Sequence, residues 1–167
     1  MLLSGRKTID IEFRRLTDVS TGDIVELMNQ PSLRRFMPLL QEGFSEADCA
    51  AFVSAKESLW RDHGYGPWGF YVDGKFAGWG GLQPENGEPD LAIVLHPGFW
   101  GLGRLFFEEI IGRAFGEMGF ETITALLPPS RPRVKGMTRL GFYRDGELEI
   151  KGELFALYRL DAPTRST

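Results

Sequence analysis

The sequence predicts an α+β (mixed α/β) fold: one mostly antiparallel sheet covered by helices, with a single parallel strand–helix–strand unit. Three observations predict it. Strand-like and helix-like hydrophobic periods interleave in the order β-α-α-β-β-β-α-β-α-β-β. Asp73-Gly74, between two alternating runs, is a two-residue hairpin signal. The apolar run at 90–95 is followed by a glycine-rich turn, a helix and a second apolar run at 122–127, which implies a parallel pair.

The elements follow in order. Ile9, Ile11 and Phe13 alternate as a first strand. Ser20 and Asp23 have capping-box spacing ahead of a helical face of Ile24, Leu27 and Met28, and Pro31 is expected to end that helix. A short turn is expected at 34–37. Ser45 and Asp48 repeat the capping spacing and open a helix through Trp60, with Phe52, Ala55, Leu59 and Trp60 on its apolar face; Gly64 and Gly66 stop it. Trp68, Phe70 and Val72 alternate before the Asp73-Gly74 turn, and the chain returns over 75–82. Pro84, Asn86, Gly87 and Pro89 read as a loop. The run at 90–95 is expected to be buried on both faces. Phe106, Ile110, Ala114 and Met118 form one helical stripe, and Gly119 is placed as a C-cap. Pro128-Pro129 breaks the strand at 122–127, a weaker helix follows at 132–140, and 147–151 and 153–160 form a hairpin around Gly152.

The 167 residues suit one domain, taken as 1–167 with 161–167 as a frayed tail. A net charge of −4 argues against a general nucleic-acid binder. Hydrophobic residues at 43% and charged residues at 25% exclude disorder for the bulk of the chain. Apolar runs are too short to span a membrane, and residues 1–7 lack the long apolar core of a signal peptide. Cys49 is the only cysteine, so neither an internal disulfide nor a cysteine-rich metal site can form, and a reducing cytoplasm is expected. Cys49 reads as core rather than nucleophile.

The informative segment runs from 91 to 104. A strand ends, Gly98-Phe99-Trp100-Gly101-Leu102-Gly103 turns the chain, and a helix begins. A helix start offers unpaired N–H donors and the positive end of a dipole, and glycines let a phosphate approach the backbone. The pattern points to a pyrophosphate cradle; a plain tight turn before a helix is the alternative. A Walker loop would need Lys-Ser/Thr after Gly103, where Arg104-Leu105 stand. A dinucleotide fingerprint would need a small residue where Phe106 stands, and an acid at the end of the next strand, whereas Glu121 precedes it. Both nucleotide readings are disfavoured.

The chain as a whole resembles the GNAT superfamily of acyl-CoA-dependent N-acetyltransferases, and within it the ribosomal-protein N-acetyltransferase (RimJ/RimL-like) branch. Four stretches carry the resemblance across about residues 9 to 160: Phe13-Arg14-Arg15-Leu16-Thr17 leading to Arg34-Arg35-Phe36-Met37-Pro38; 70–82 around Asp73-Gly74; Leu95-His96-Pro97-Gly98-Phe99-Trp100-Gly101-Leu102-Gly103, similar to the Pro-x-aromatic-Trp-Gly-x-Gly acyl-CoA loop; and Arg139-Leu140-Gly141-Phe142. The resemblance implies a twisted sheet of about six or seven strands with a splayed parallel pair, and acetyl-CoA as donor to an amine acceptor, without a metal. It implies that backbone groups of Ile93, Val94 and Leu95 hold the pantetheine arm as an added strand. It also implies that N–H groups of Phe99, Trp100, Gly101, Leu102, Gly103 and Arg104 hold the pyrophosphate. The sequence departs from the pattern at Gly98, often Gln or Arg in the superfamily; at Ser130 and Arg133, usually Asn and Ser in this branch; and at Met137, where many relatives carry a tyrosine acid.

An amine of ordinary pKa, about 10.4 for lysine, must lose a proton before attacking a thioester. Candidate bases are Asp90 and Glu88, then Glu147 and Glu149. Ser130 is a candidate weak donor to the leaving thiolate, and a strand amide near Val94 is the expected oxyanion donor. Arg131, Arg133, Lys135, Arg139 and Arg104 form a basic cluster that reads either as a 3′-phosphate site or as a solvated helix face. His63 and His96 read as structural, and Trp60, Trp68, Trp79 and Trp100 as core or rim. Glu85, Glu88 and Asp90 favour a cationic acceptor. Two function classes remain: an N-acetyltransferase acting on a protein N-terminus or small amine, and a non-catalytic acyl-CoA-binding or sensor module. Oligomeric state stays open; a homodimer paired through the C-terminal strand is compatible with the sequence.

Overall fold

Three two-residue turns set most of the sheet. Asp73-Gly74, Asn86-Gly87 and Lys151-Gly152 all hold positive φ at both central positions (48° and 81°, 53° and 79°, 50° and 82°). That is the turn geometry whose twist matches paired strands. The computed structural model describes residues 8–34, 43–128 and 134–164. Seven strands among them form one sheet: β1 (Ile11–Arg14), β2 (Pro67–Val72), β3 (Lys75–Glu85), β4 (Glu88–Leu95), β5 (Thr122–Leu127), β6 (Tyr143–Ile150) and β7 (Glu153–Asp161). Their spatial order is β1-β2-β3-β4-β5-β7-β6, and β4–β5 is the parallel pair. This is the predicted α+β architecture.

The segment 83–89, expected as a loop, is instead the end of a long hairpin. Pro84 and Pro89 face each other across it, on a rung whose backbone groups point away from the partner strand, so neither proline breaks a cross-strand bond.

The helices are α1 (Thr21–Met28), α2 (Pro31–Arg34), α3 (Glu46–His63), α4 (Gly103–Gly112) and α5 (Val134–Arg139). Ser20 accepts from the Asp23 N–H at 3.2 Å, and Ser45 with Asp48 completes a reciprocal capping box. Pro31 opens a short helix rather than only closing α1, because a first-turn proline loses no intrahelical bond. The turn expected at 34–37 lies mostly outside the described residues. α3 continues past Trp60 to a left-handed Gly64 (φ 78°). Ala55, expected on its apolar face, is exposed; Phe52, Val53 and Trp60 pack inward with the buried Cys49. α4 runs on as a π turn at Arg113–Glu117 before Gly119 (φ 69°).

Two cores flank the sheet. Phe70, Phe106, Ile110 and Ile123 centre the α4 side, with Phe70 stacked on Phe106 at 4.4 Å. Leu16, Ile24, Leu27, Cys49 and Trp79 centre the side covered by α1 and α3. The C-terminal end differs from expectation. Asp161 belongs to β7, and the Ala162 N–H donates to the Glu121 carbonyl, so order extends into the expected tail. β7 is paired on both sides, by β5 and β6. It therefore offers no edge to a second copy; the outer strand at this end of the sheet is β6.

Candidate active site

Strands β4 and β5 pair only at Asp90↔Thr124 and Leu91↔Ala125, then part. The run at 90–95, expected to be buried on both faces, is for that reason half-buried from Leu91 to Val94. The gap is a cleft of about 620 Å³. Phe107, Met137 and Leu140 wall it on the α4–α5 side; Trp79, Gln83 and Asp90 line it on the α3 side. The cleft thus passes through the sheet.

The hairpin register decides which backbone groups of β4 face this gap. Glu85 and Glu88 flank the turn and form a hydrogen-bonded rung, so 83↔90, 81↔92 and 79↔94 are bonded rungs as well. The backbone of Val94 is therefore directed at β3, and those of Ile93 and Leu95 at the cleft. Two observations agree with this parity. The His96 N–H donates to Ala77 on β3 at 2.8 Å, and the Leu95 carbonyl, facing the other way, accepts from the Trp100 indole at 2.9 Å. β3 can lie this close because Gly80 has no side chain: a Cβ there would sit 2.4 Å from the Ala92 carbonyl oxygen.

Beyond β4 the chain makes a 3₁₀ turn, Pro97–Leu102, into α4. His96 caps it, its Nδ1 accepting from the Gly98 N–H at 3.3 Å while Nε2 lies 3.4 Å from Glu26. The Phe99 N–H donates to the His96 carbonyl, and that of Gly103 to the Trp100 carbonyl. The N–H groups of Arg104 and Leu105 stand in the first turn of α4, where the carbonyls four residues back belong to the 3₁₀ turn rather than to α4 itself. Trp100, Gly103 and Arg104 line the cleft; Phe99 and Leu102 turn their side chains into the α4 core. Gly101 is open: a Cβ at that position would meet nothing within 4 Å, and one at Gly103 would approach only Leu95 Cδ1, at 3.9 Å.

Asp90 sits where the strands part and is 6% exposed. Thr124 Oγ1 donates to its Oδ1 at 2.7 Å. Burial pushes its carboxyl up to about 7, against the opposing pull of the Thr124 bond. Glu88 is held differently. Arg159 grips both its oxygens, at 2.6 and 3.0 Å, and also donates to Asp145 at 2.8 Å. The hydrogen bond from Arg159 holds Glu88 below the ordinary carboxylate range, which makes it a weak proton acceptor. Glu147 and Glu149 are exposed on β6.

Ser130, Arg131 and Arg133 lie outside the described residues. Of the remaining basic cluster, Arg104 and Arg139 stand at the cleft, Lys135 is exposed, and Arg104 pairs with Glu108 at 3.0 Å. Cys49 is buried, and burial raises its thiol. Sequence reasoning missed Gln83 and Thr124. The Asn86-Gly87 turn, taken as a hairpin, would have placed Gln83 opposite Asp90; nothing local announces Thr124. Among the described residues no group of three His, Cys, Asp or Glu side chains could hold a metal ion, and no helix is long and apolar enough to cross a membrane.

A family model described as an acetyltransferase (GNAT) domain matches residues 10–142. The chain belongs to the GNAT acetyltransferase family. Solved structures agree in fold. An acetyltransferase from Agrobacterium tumefaciens strain C58 superposes with a TM-score of 0.72 at 16% identity, covering 97% of this chain and 99% of that one. A GNAT-family acetyltransferase from Bacillus anthracis gives 0.67 at 19%, covering 93% and 95%. The aminoglycoside acetyltransferase AAC(6')-Ib, solved with coenzyme A and also with coenzyme A and kanamycin, gives 0.70 at 15%, covering 92% and 95%. A search of curated proteins finds no match.

Proposed function

We propose that this GNAT chain is a single-domain cytoplasmic N-acetyltransferase that moves the acetyl group of acetyl-CoA to a primary amine in a ternary complex. By its motifs we assign it to the RimJ/RimL-like branch, with a protein N-terminus or a small amine as acceptor. The observation that carries the reading is the parting of β4 from β5 with a buried, near-neutral carboxyl at the apex.

The residues present fit the donor. The cleft is apolar where a pantetheine arm would run, and the cleft-facing N–H and C=O of Ile93 with the N–H of Leu95 can hold an amide chain as an added strand. Val94 would contribute its side chain rather than its backbone. Arg104 and Leu105 N–H groups, beside the bare backbone of Gly103, would meet the pyrophosphate, with Arg139 and Arg133 available to a further phosphate. Bound there, the thioester supplies an activated acetyl group.

Asp90 would take the proton that the attacking ammonium must lose; a carboxyl with a pKa near 7 is part ionised at neutral pH and strong enough as a base to accept it. Whichever of the Ile93 and Leu95 N–H groups the pantetheine arm leaves free would stabilise the charge building on the acetyl oxygen. The new N–C bond forms as the C–S bond breaks, and the thiolate leaves, protonated by water or Ser130. Holding both substrates in the gap between β4 and β5 supplies much of the rate.

Thiol release from acetyl-CoA across a panel of amines, including N-terminal peptides, tests the reading. Turnover with at least one amine, rising through an acid limb near pH 7 that Asp90→Asn abolishes, is the expected result. The second reading, an acyl-CoA-binding module without catalysis, is favoured by Met137, an apolar side chain on the cleft wall where relatives place an acid. Acetyl-CoA binding with no turnover on any amine would select it.

A further inference from the structure

Gln83 on β3 stands directly across from Asp90 on β4, and both line the cleft. The Lys56 ammonium, over the rings of Phe52 (5.4 Å) and Trp79 (5.3 Å), donates to Gln83 Oε1. An ammonium has only donors, so the oxygen end of the carboxamide must face it and the NH₂ end must face away. Among the described residues that NH₂ has no protein acceptor and Asp90 Oδ2 has no protein donor. One rung of the sheet therefore offers a two-hydrogen donor beside a carboxylate oxygen. Cα atoms on such a rung are about 5.5 Å apart. This spacing suits a ligand whose amine and oxygen acceptor sit on neighbouring carbons.

Resting on the acetyl-transfer reading, we infer that Gln83, oriented by Lys56, selects amines that carry an oxygen acceptor on the carbon next to the amine-bearing carbon. The shared chemistry covers the α-amino carbonyl of a peptide N-terminus and the vicinal amino alcohol of an amino sugar. Lys56 acts through Gln83 as a positioning residue.

The test uses the full chain at saturating acetyl-CoA with alaninamide, glucosamine and propylamine as acceptors. Gln83→Leu should lower kcat/KM for alaninamide or glucosamine about tenfold, through KM, which is the scale of one lost hydrogen bond. Propylamine turnover and the acid limb of the pH profile should not move, which also shows that the variant is folded. Gln83→Asn, which draws the amide back by one carbon, should show the same selective loss, and Lys56→Met a smaller one. The larger loss on alaninamide assigns the site to peptide N-termini, the larger loss on glucosamine to amino sugars, and either supports the inference. Equal loss on all three acceptors, or none on any, overturns it and leaves acetyl transfer standing. A wild type that binds acetyl-CoA and acetylates none of the three overturns both.

Discussion

Asp90→Asn separates a buried, titrating carboxyl from an inert polar side chain. The folded-state pKa of about 7 lies about three units above the ordinary 3.8. At about 1.36 kcal/mol per unit, ionising this group costs the fold up to roughly 4 kcal/mol. The sign follows from proton binding. Between the two pKa values the unfolded chain has lost this proton and the folded chain keeps it, so stability falls as pH rises through about 4 to 7, and levels off above. The asparagine variant carries no such slope. Urea unfolding of both proteins, at about pH 5 and about pH 8.5, should show the variant gaining roughly 3 kcal/mol relative to wild type across that interval. Asparagine must still satisfy the Thr124 hydroxyl, which sets the variant's starting stability; only the change with pH matters. Stability curves that stay parallel from pH 5 to 8.5 would refute the assignment of a near-neutral pKa to Asp90, and with it the proposed base.

Thr124→Val removes the one hydrogen bond that holds the Asp90 pKa down, so the acid limb of kcat/KM should move to higher pH by about one unit or more, read from a pH–rate profile. Glu88→Gln breaks the two-point pair with Arg159; it should lower the unfolding midpoint and move that limb slightly to lower pH, because the Glu88 charge helps to raise Asp90, whereas loss of the limb altogether would transfer the base role to Glu88. Trp100→Phe deletes the indole bond to the Leu95 carbonyl. It should raise KM for acetyl-CoA several-fold with kcat at saturation unchanged, as steady-state kinetics would show, because the bond fixes the junction of β4 and the 3₁₀ turn.

Much of the fold was legible because its signals are local. Asp73-Gly74, the two Ser–Asp caps and the Phe106 stripe each specify their element within a few residues, and the structure follows them. The misreadings have physical causes. Pro84 and Pro89 masked the Asn86-Gly87 hairpin, since prolines argue against a strand unless they share a rung without cross-strand bonds. The run at 90–95 is apolar whether it faces core or cleft, so composition could not show that β5 leaves it. Lys56 interrupts the buried stripe of α3, which pulled Ala55 into the expected face instead. The electrostatics of the site were beyond reach: Arg159 meets Glu88 across 71 residues and His96 meets Glu26 across 70. Asp90 was visible as a strand-end acid, and its hydrogen-bond partner Thr124 lies 34 residues on.

Amide hydrogen exchange with and without acetyl-CoA reads the proposed donor site residue by residue. Protection should rise at Ile93 and Leu95 and over the first turn of α4 at 103–105, while Val94, already directed at β3, and the outer strand β6 stay unchanged. Ligand-induced protection located elsewhere, or none at saturating acetyl-CoA, would show that the donor does not lie along β4.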